Sequence, residues 1–185
     1  MKIAIRTSLI AAALALGGTA PLLAQHNPMV GGAAMYPSKT IVQNAMNSKD
    51  HTTLVAAVKA AGLVDTLSRA GPLTVFAPTN AAFAKLPAGT VDTLLKPENK
   101  AKLKSVLTYH VVPGSISAAD IAAKAEAHGG TASYKTVEGE KLMFKKGPNG
   151  GWLIMDGKGD TGHITIANVR QSNGMIHVID TVMMP

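Results

Sequence analysis

The chain has 185 residues, no cysteine and a formal net charge of +7. The absence of cysteine excludes disulfides, thiolate metal ligands and a cysteine nucleophile. Aromatic residues make up only 4% of the chain, and no nucleic-acid-binding motif is present, which argues against a nucleic-acid partner. The basic charge predicts attraction to anionic surfaces such as membranes, acidic polysaccharides or acidic proteins, although the same charge also serves solubility.

The N-terminus has the pattern of a secretory signal peptide. Lys2 and Arg6 precede an apolar run over residues 8–18, and Ala24 offers a cleavage point before Gln25. The run is shorter than the roughly 20 apolar residues that a membrane span needs. We therefore predict a cleaved signal over residues 1–24 and export to the periplasm or the extracellular space. Cleavage leaves a charge of +5 and no transmembrane segment.

The mature chain is predicted to contain a flexible leader over residues 25–36 and one domain over residues 37–185, acting as a monomer. Helical periodicity starts near Ser38 and returns in several segments. A helix before Gly62 is followed by a short helix over residues 63–70. Residues 73–77 read as a buried strand, and later helices are expected to start near residues 80, 90, 97 and 117.

From residue 131 onward the pattern changes to strands, with turn sequences at 138–139, 148–151, 156–157 and 173–174. This order predicts an α+β fold, with helices in the first two-thirds packed on a mostly antiparallel, sandwich- or barrel-like sheet. The strand at residues 73–77 must then find its partners in the last third of the chain.

Three short blocks carry a family resemblance: GPLTVFAPTN at residues 71–80, TYHVVPG at 108–114, and NGMIHVIDTVMMP at 173–185. In this order they closely resemble the fasciclin domain. The resemblance implies a β-wedge with helices packed on it, and a role in adhesion and binding at cell surfaces without a shared reaction. It also implies that the region of Tyr109 and His110 contacts partners. The residues of the blocks that we take as a structural signature are Thr74, Phe76, Pro78, Thr79, Asn80, Asn173, Gly174, His177 and Asp180.

Most of these residues have a structural explanation in the sequence itself. Thr79 or Asn80 is expected to cap the following helix, and Asn173-Gly174 suits a tight turn. His110 and His177 lie in apolar patterns, so their ring nitrogens are expected to hydrogen-bond neighbouring backbone.

Other motifs do not indicate a chemical site. Residues 157–162 match the G-x-G-x-x-G string, but a strand follows where a dinucleotide site needs a helix. The six histidines show no metal-ligand spacing, and four of them (His26, His51, His128 and His163) are expected to be exposed. The acidic residues are scattered and no nucleophile elbow is present. The sequence therefore predicts no enzyme, no metal and no cofactor.

The sequence thus predicts an exported binding or adhesion module whose partner is a cell-surface or matrix protein or an anionic polysaccharide. The alternative is a carrier of an apolar small molecule, such as a carotenoid or a lipid. Nine methionines and alanine-rich helices could line an adaptable apolar cleft for it.

Overall fold

The computed structural model describes residues 27–69 and 71–185, so the predicted signal peptide lies outside the described residues. The described part contains seven α-helices, all within the first two-thirds of the chain, as the sequence predicts. They are α1 (Ile41–Ala45), α2 (Thr52–Ala61), α3 (Val64–Ser68), α4 (Asn80–Ala84), α5 (Thr90–Leu95), α6 (Lys100–Tyr109) and α7 (Ala118–Ala127). Short 3₁₀ turns, Lys49–His51 and Pro97–Asn99, precede α2 and α6. No helix among these residues is long and apolar enough to cross a membrane.

Local capping explains several helix ends. Thr40 caps α1 and Ser117 caps α7, each in a reciprocal capping box with the residue three positions later. Helix α2 ends at Gly62, which adopts a left-handed conformation with a φ of 71°. The sequence predicts both the Ser117 capping box and the end of α2 at Gly62.

The strands divide into a small hairpin and one large sheet. The hairpin pairs β1 (Met29–Val30) with β2 (Ala33–Ala34). The sheet has seven strands in the order β4-β3-β9-β8-β7-β6-β5. Their bounds are β3 (Leu73–Pro78), β4 (Val111–Pro113), β5 (Thr131–Lys135), β6 (Lys141–Lys146), β7 (Trp152–Met155), β8 (Thr161–Gln171) and β9 (Gly174–Ile179).

Strand β3 is the link between the two halves of the chain. It pairs in parallel with β9 and antiparallel with β4, and the remaining pairs of the sheet are antiparallel. The expected pairing of residues 73–77 with the last third is therefore confirmed, and so is the α+β fold class. Strand β4 was not predicted, since three residues are too few to show a period.

The core lies on both faces of β3. Val75 and Ala77 join a cluster formed largely by helices α1–α6, whereas Phe76 joins a second cluster with Phe144 and Ile154 of the sheet. Successive strand residues point to opposite faces, so one strand serves both clusters.

The prediction of a flexible leader over residues 25–36 is wrong for the part that the structure describes. Residues 27–35 pack onto the domain, because Val30 and Met35 are buried in the helical cluster. The Asn27 side chain also donates to the Arg170 carbonyl and accepts from the Arg170 N–H on β8. The glycine-containing turn looks unstructured in sequence because a two-residue strand carries no periodic pattern.

Candidate functional site

The candidate site is the corner where α6 ends and β4 begins. Helix α6 buries Leu103, Val106 and Leu107 on one face, and this face packs on the helical core cluster. His110 continues that face, whereas Tyr109 points into the second core cluster, and the two residues have exposed fractions of only 2% and 0%.

Tyr109 connects α6 to two turns of the sheet. Its hydroxyl donates to the Lys141 carbonyl at 3.0 Å and accepts from the Gly157 N–H at 3.1 Å. Burial raises the pKa of this phenol, so it stays protonated and keeps its donor. The residue therefore fixes the β5–β6 and β7–β8 turns against the helix end.

His110 holds the C-terminal segment. Its Nδ1 lies 2.8 Å from the Val106 carbonyl, and its Nε2 lies 3.0 Å from the Met183 backbone nitrogen. A carbonyl only accepts and an N–H only donates, so His110 is neutral with its proton on Nδ1. Burial lowers its pKa from 6.5 to about 4, which agrees with this assignment. Asp156 accepts from the next residue, Met184, at 3.1 Å.

A surface groove of about 240 Å³ lies beside this corner. Thr108 and Val111, the two residues that flank Tyr109-His110, form part of its wall. The remaining lining comes from the α3 region, the start of β3 and the β5–β6 turn: Leu63, Thr66, Leu67, Arg69, Gly71, Pro72, Leu73 and Val137. The lining is mostly apolar, and Val137 is 46% exposed.

This geometry shows which part of the predicted interaction region is accessible from outside. The side chains of Tyr109 and His110 point into the core, so direct contact with a partner would require them to leave it. Contact through neighbouring residues stays a prediction. Residues that line the groove, such as Thr108 and Val137, are the ones available for it.

The first signature block builds the sheet. The Thr74 hydroxyl donates to the Gly114 carbonyl at 2.6 Å and accepts from the Ile116 N–H at 2.8 Å. Phe76 is fully buried, with its ring 4.9 Å from Phe144 and 5.4 Å from His177 between centroids. The block therefore fixes the chain that follows β4 and fills the centre of the second core cluster.

The end of this block joins helices. Pro78 closes β3 opposite Ile179, and Thr79 caps α4 by accepting from the Ala82 N–H at 3.2 Å. Asn80 does not cap α4: its side chain accepts from Thr53 and donates to the Lys49 carbonyl. Thr79 is thus the cap, and Asn80 secures the start of α2.

Asn173 and Gly174 bring distant segments together. The Asn173 side chain accepts from the Ile41 N–H at 3.0 Å and donates to the carbonyls of Leu67 and Arg69 at 2.8 and 3.1 Å. Gly174 has a φ of 152°, and a Cβ there would lie 1.8 Å from the Leu73 carbonyl oxygen. The sequence predicts a turn at Asn173-Gly174, but it does not predict the long-range contacts of the Asn173 side chain.

His177 uses both ring nitrogens, as expected for a buried histidine. Its Nε2 donates to the Ile116 carbonyl at 2.8 Å, and its Nδ1 accepts from the Asn168 N–H at 3.4 Å. Burial lowers its pKa, so the neutral ring is retained. Asn168 has a positive φ of 61°, and its side chain accepts from Ala118 at the start of α7.

Asp180 is a partly exposed signature residue. It accepts from the His163 N–H at 2.7 Å and lies 3.5 Å from the Lys85 ammonium. Partial burial alone would raise its pKa, but the His163 and Thr181 hydrogen bonds and the Lys85 charge together lower it. The carboxylate therefore stays ionised and fixes the start of β8.

The prediction of an exposed His51 is wrong. Its exposed fraction is 3%, its Nδ1 lies 2.8 Å from the Ser48 hydroxyl, and its Nε2 has no hydrogen-bond partner within the described residues. Burial lowers its pKa. Its spacing to Leu54, Val58 and Ala61 places it on the buried face of α2, which was the signal available in the sequence. His26 lies outside the described residues, and His163 is exposed.

Two other buried polar residues carry no recognisable sequence signal. The fully buried Asn44 side chain bonds both backbone groups of Tyr36 and the Gln171 amide. Asp156 accepts from the N–H groups of Lys158 and Asp160 as well as from Met184. In the part of the chain that the structure describes, no three His, Asp or Glu residues form a group that could hold a metal ion.

Comparison with known proteins agrees with this architecture. The family model described as the Fasciclin domain matches residues 49–185. Protein sll1483 of Synechocystis is 48% identical over 163 residues, which cover 87% of this chain and 82% of that protein. The cell surface glycolipoprotein MPB83 of Mycobacterium bovis is 34% identical over 174 residues, covering 91% of this chain and 70% of that protein. The chain belongs to the fasciclin domain family.

A solved structure shows the same fold at low identity. The FAS1 domain pair from the insect cell adhesion molecule Fasciclin I superposes with a TM-score of 0.70 and 18% identity. The alignment covers 80% of this chain and 51% of that one, so this chain spans about half the length of the domain pair.

Proposed function

We propose that this chain is an exported, non-enzymatic binding module that mediates cell-surface or matrix contact through the groove beside Tyr109 and His110. The observation that carries the proposal is the position of this groove, whose wall includes both residues that flank the family's Tyr-His dipeptide. Membership of an adhesion-type family supports it. The cell-surface name of one relative and the adhesion name of the fold neighbour point the same way.

The contacts of Tyr109 and His110 give the groove a rigid wall. Tyr109 is bonded to two sheet turns, and His110 is bonded to the C-terminal segment, so the corner between them is held in one geometry. A preformed surface loses less conformational freedom when a partner binds. The dipeptide would then act on binding indirectly, by positioning the wall that a partner touches.

The groove fits a partner with an apolar anchor and an acidic neighbour. Leu63, Leu67 and Leu73 supply apolar lining, and Arg69 supplies a cation within it. A cell-surface or matrix protein presents both features, and an anionic polysaccharide would use the cation together with the net positive charge of the chain.

Attachment assays with a matched pair of variants test the proposal. Val137 and Met46 are exposed to similar extents, 46% and 50%, but only Val137 lines the groove. We expect a deletion strain to lose attachment, wild type to restore it, Val137→Glu to restore it several-fold less well, and Met46→Glu to restore it fully. Equal attachment of the wild-type and deletion strains on several surface chemistries would contradict the proposal.

A carrier of an apolar small molecule is the second candidate. An apolar cavity of about 30 Å³ lies between α1, α2, α3, α6 and β3, and it shares Leu67 and Val111 with the groove. Ligand sites for small molecules usually measure about 300–1,000 Å³. A pigment or lipid would therefore need α1 and α2 to move apart from α6.

The spectrum of the native protein separates the two candidates. Protein purified from its own host should absorb visible light or release extractable lipid if it is a carrier. A colourless, lipid-free preparation would contradict that role and leave the adhesion proposal intact.

A further inference from the structure

We infer that the outer face of strands β5–β7 docks on an anionic lipid surface. We call this surface the basic sheet face and define it by Lys135, Lys141, Lys145, Met143, Leu153 and Met155. It is separate from the groove beside Tyr109, so the inference stands independently of the proposed function.

The alternation of side chains places these six residues on one face. The inward positions of the same strands, Ala132, Leu142, Phe144 and Ile154, are fully buried in the core. The residues between them must point outward. Met143 pairs with Met155, Lys145 pairs with Leu153, and Lys135 pairs with Lys141, so the six residues are neighbours across the sheet.

The charge of this face is of one sign. Strands β5–β8 contain no aspartate or glutamate. In the part of the chain that the structure describes, the ion pairs within 4.0 Å are those that Asp180 makes with Lys85 and His163, so the three lysines of the face have no carboxylate partner. The acids nearest in sequence are Glu138, Glu140, Asp156 and Asp160. They lie in the turns next to Lys135, Lys141 and Met155, and Asp156 is fully buried, whereas the turn over residues 147–151 next to Lys145 has no acid.

The apolar residues decide which anionic surface fits. Met143, Leu153 and Met155 are half-buried, and helix α7, which packs on β5 and β6, contributes Ile121 and Ala125 to the cluster on the inner side of the sheet. A polysaccharide would be expected to use aromatic rings, but the aromatic residues of these strands, Tyr134, Phe144 and Trp152, pack on the inner side. Lipid offers both an anionic headgroup layer for the lysines and acyl chains for flexible thioethers.

Lysine geometry agrees with this choice. A lysine can lay its stem along an apolar surface while its ammonium reaches the headgroups. Each basic residue near an anionic bilayer raises partitioning about fivefold. Three such residues with apolar contacts between them give reversible binding, not insertion.

Vesicle sedimentation tests the inference with protein purified from the envelope of exporting cells, its N-terminus determined beforehand. We expect binding to vesicles that contain anionic phosphatidylglycerol and little binding to vesicles of phosphatidylcholine alone. The triple variant Lys135→Thr, Lys141→Thr, Lys145→Thr should lower partitioning at least tenfold. The charge-matched control Lys100→Gln, Lys102→Gln, Lys104→Gln on α6 should lower it no more than about twofold. Circular dichroism confirms that both variants fold.

Two further experiments could contradict the inference. Met155→Thr should remove the part of the binding that survives high salt, because that part depends on apolar contact. Equal losses in the two triple variants would mean that total charge, not this face, attracts the vesicles. Absence of binding to anionic vesicles, or equal competition by a soluble acidic polysaccharide, would also overturn the inference.

Discussion

At the scale of single residues, Tyr109 and His110 are structural connectors. The Tyr109 hydroxyl bonds backbone groups of two distant segments, whereas the His110 ring bonds a carbonyl of its own helix and a backbone N–H of the C-terminal segment. A substitution at either position therefore changes the fold around the groove before it changes any surface that a partner could touch. Loss of binding in such a variant has to be judged against its stability.

Tyr109→Phe measures the structural part of this effect. The change keeps the ring but leaves the Lys141 carbonyl and the Gly157 N–H without the hydroxyl that joins them. We expect a loss of about 1–2 kcal/mol in the free energy of unfolding, measured with urea. Tyr36→Phe is the control, because Tyr36 is exposed, and it should cost less than about 0.5 kcal/mol. Similar costs for the two variants would contradict the connector role.

His110 makes the stability of the fold depend on pH. Its folded pKa of about 4 lies below the ordinary 6.5, so its contribution is complete above pH 6.5 and is lost as the pH falls through 4. The full loss amounts to about 3 kcal/mol. The buried rings of His177 and His51 act in the same direction, because burial lowers their pKa as well.

Urea unfolding at neutral pH and near pH 4 measures this dependence. His110→Gln should be less stable at neutral pH and should lose less stability on acidification than wild type. The control is His128→Gln, at an exposed position outside both ion pairs, and it should keep the wild-type stability at neutral pH. An unchanged pH dependence in His110→Gln would show that the ring is not held neutral.

At the scale of elements, the parallel pair β3–β9 holds the two halves of the chain together. Gly174 starts β9 directly against Leu73, and no side chain fits between them. Asn173, the residue before it, also ties the start of α1 and the end of α3 to the same point. The last signature block therefore determines where two helices and two strands meet.

A comparison of Gly174→Ala with Gly159→Ala separates the energetic cost of a clash with Leu73 from the cost of positive φ alone. Both glycines have positive φ, at 152° and 94°, but nothing lies within 4 Å of a Cβ at Gly159. We expect about 1 kcal/mol for Gly159→Ala and more than about 4 kcal/mol, or no folded protein, for Gly174→Ala. Thermal unfolding of both variants provides the comparison. Equal costs would mean that β3 can move away from β9 at little energetic expense.

At the scale of the whole molecule, the N-terminal hairpin extends the domain. Residues 27–35 cover Ser48, His51 and Val169, and a Cβ at Gly31 would lie 2.4 Å from the Ser48 hydroxyl oxygen. The segment buries Val30 and Met35 and pairs with β8 through Asn27. It therefore belongs to the folded unit, although the family model starts only at residue 49.

A chain that starts at residue 37 should be less stable than one that starts at residue 27. Burial of two apolar side chains, partly offset by the entropy of ordering the segment, gives an expected difference of about 2 kcal/mol. The melting temperature should fall by about 4–8 °C, which calorimetry measures. Identical melting temperatures would show that the segment is a passive leader after all.

The sequence by itself determined the features that depend on neighbouring residues. The Ser117 capping box, the Gly62 helix stop, the buried faces of α2 and α6 and the glycine turns of the last third are all local patterns. The α+β class follows from their order. The hydrogen-bonding roles of His110 and His177 follow from a polar ring within an apolar pattern, because such a ring must find partners.

Only the tertiary structure decided the features that join distant residues. The side of β3 on which β9 pairs, the packing of the N-terminal hairpin, and the three contacts of Asn173 involve segments about 100 residues apart or more. The groove and the basic sheet face are likewise products of strand register. Local patterns cannot specify such pairings, since two- and three-residue strands have no measurable period and an amide side chain can bond to any backbone group it reaches.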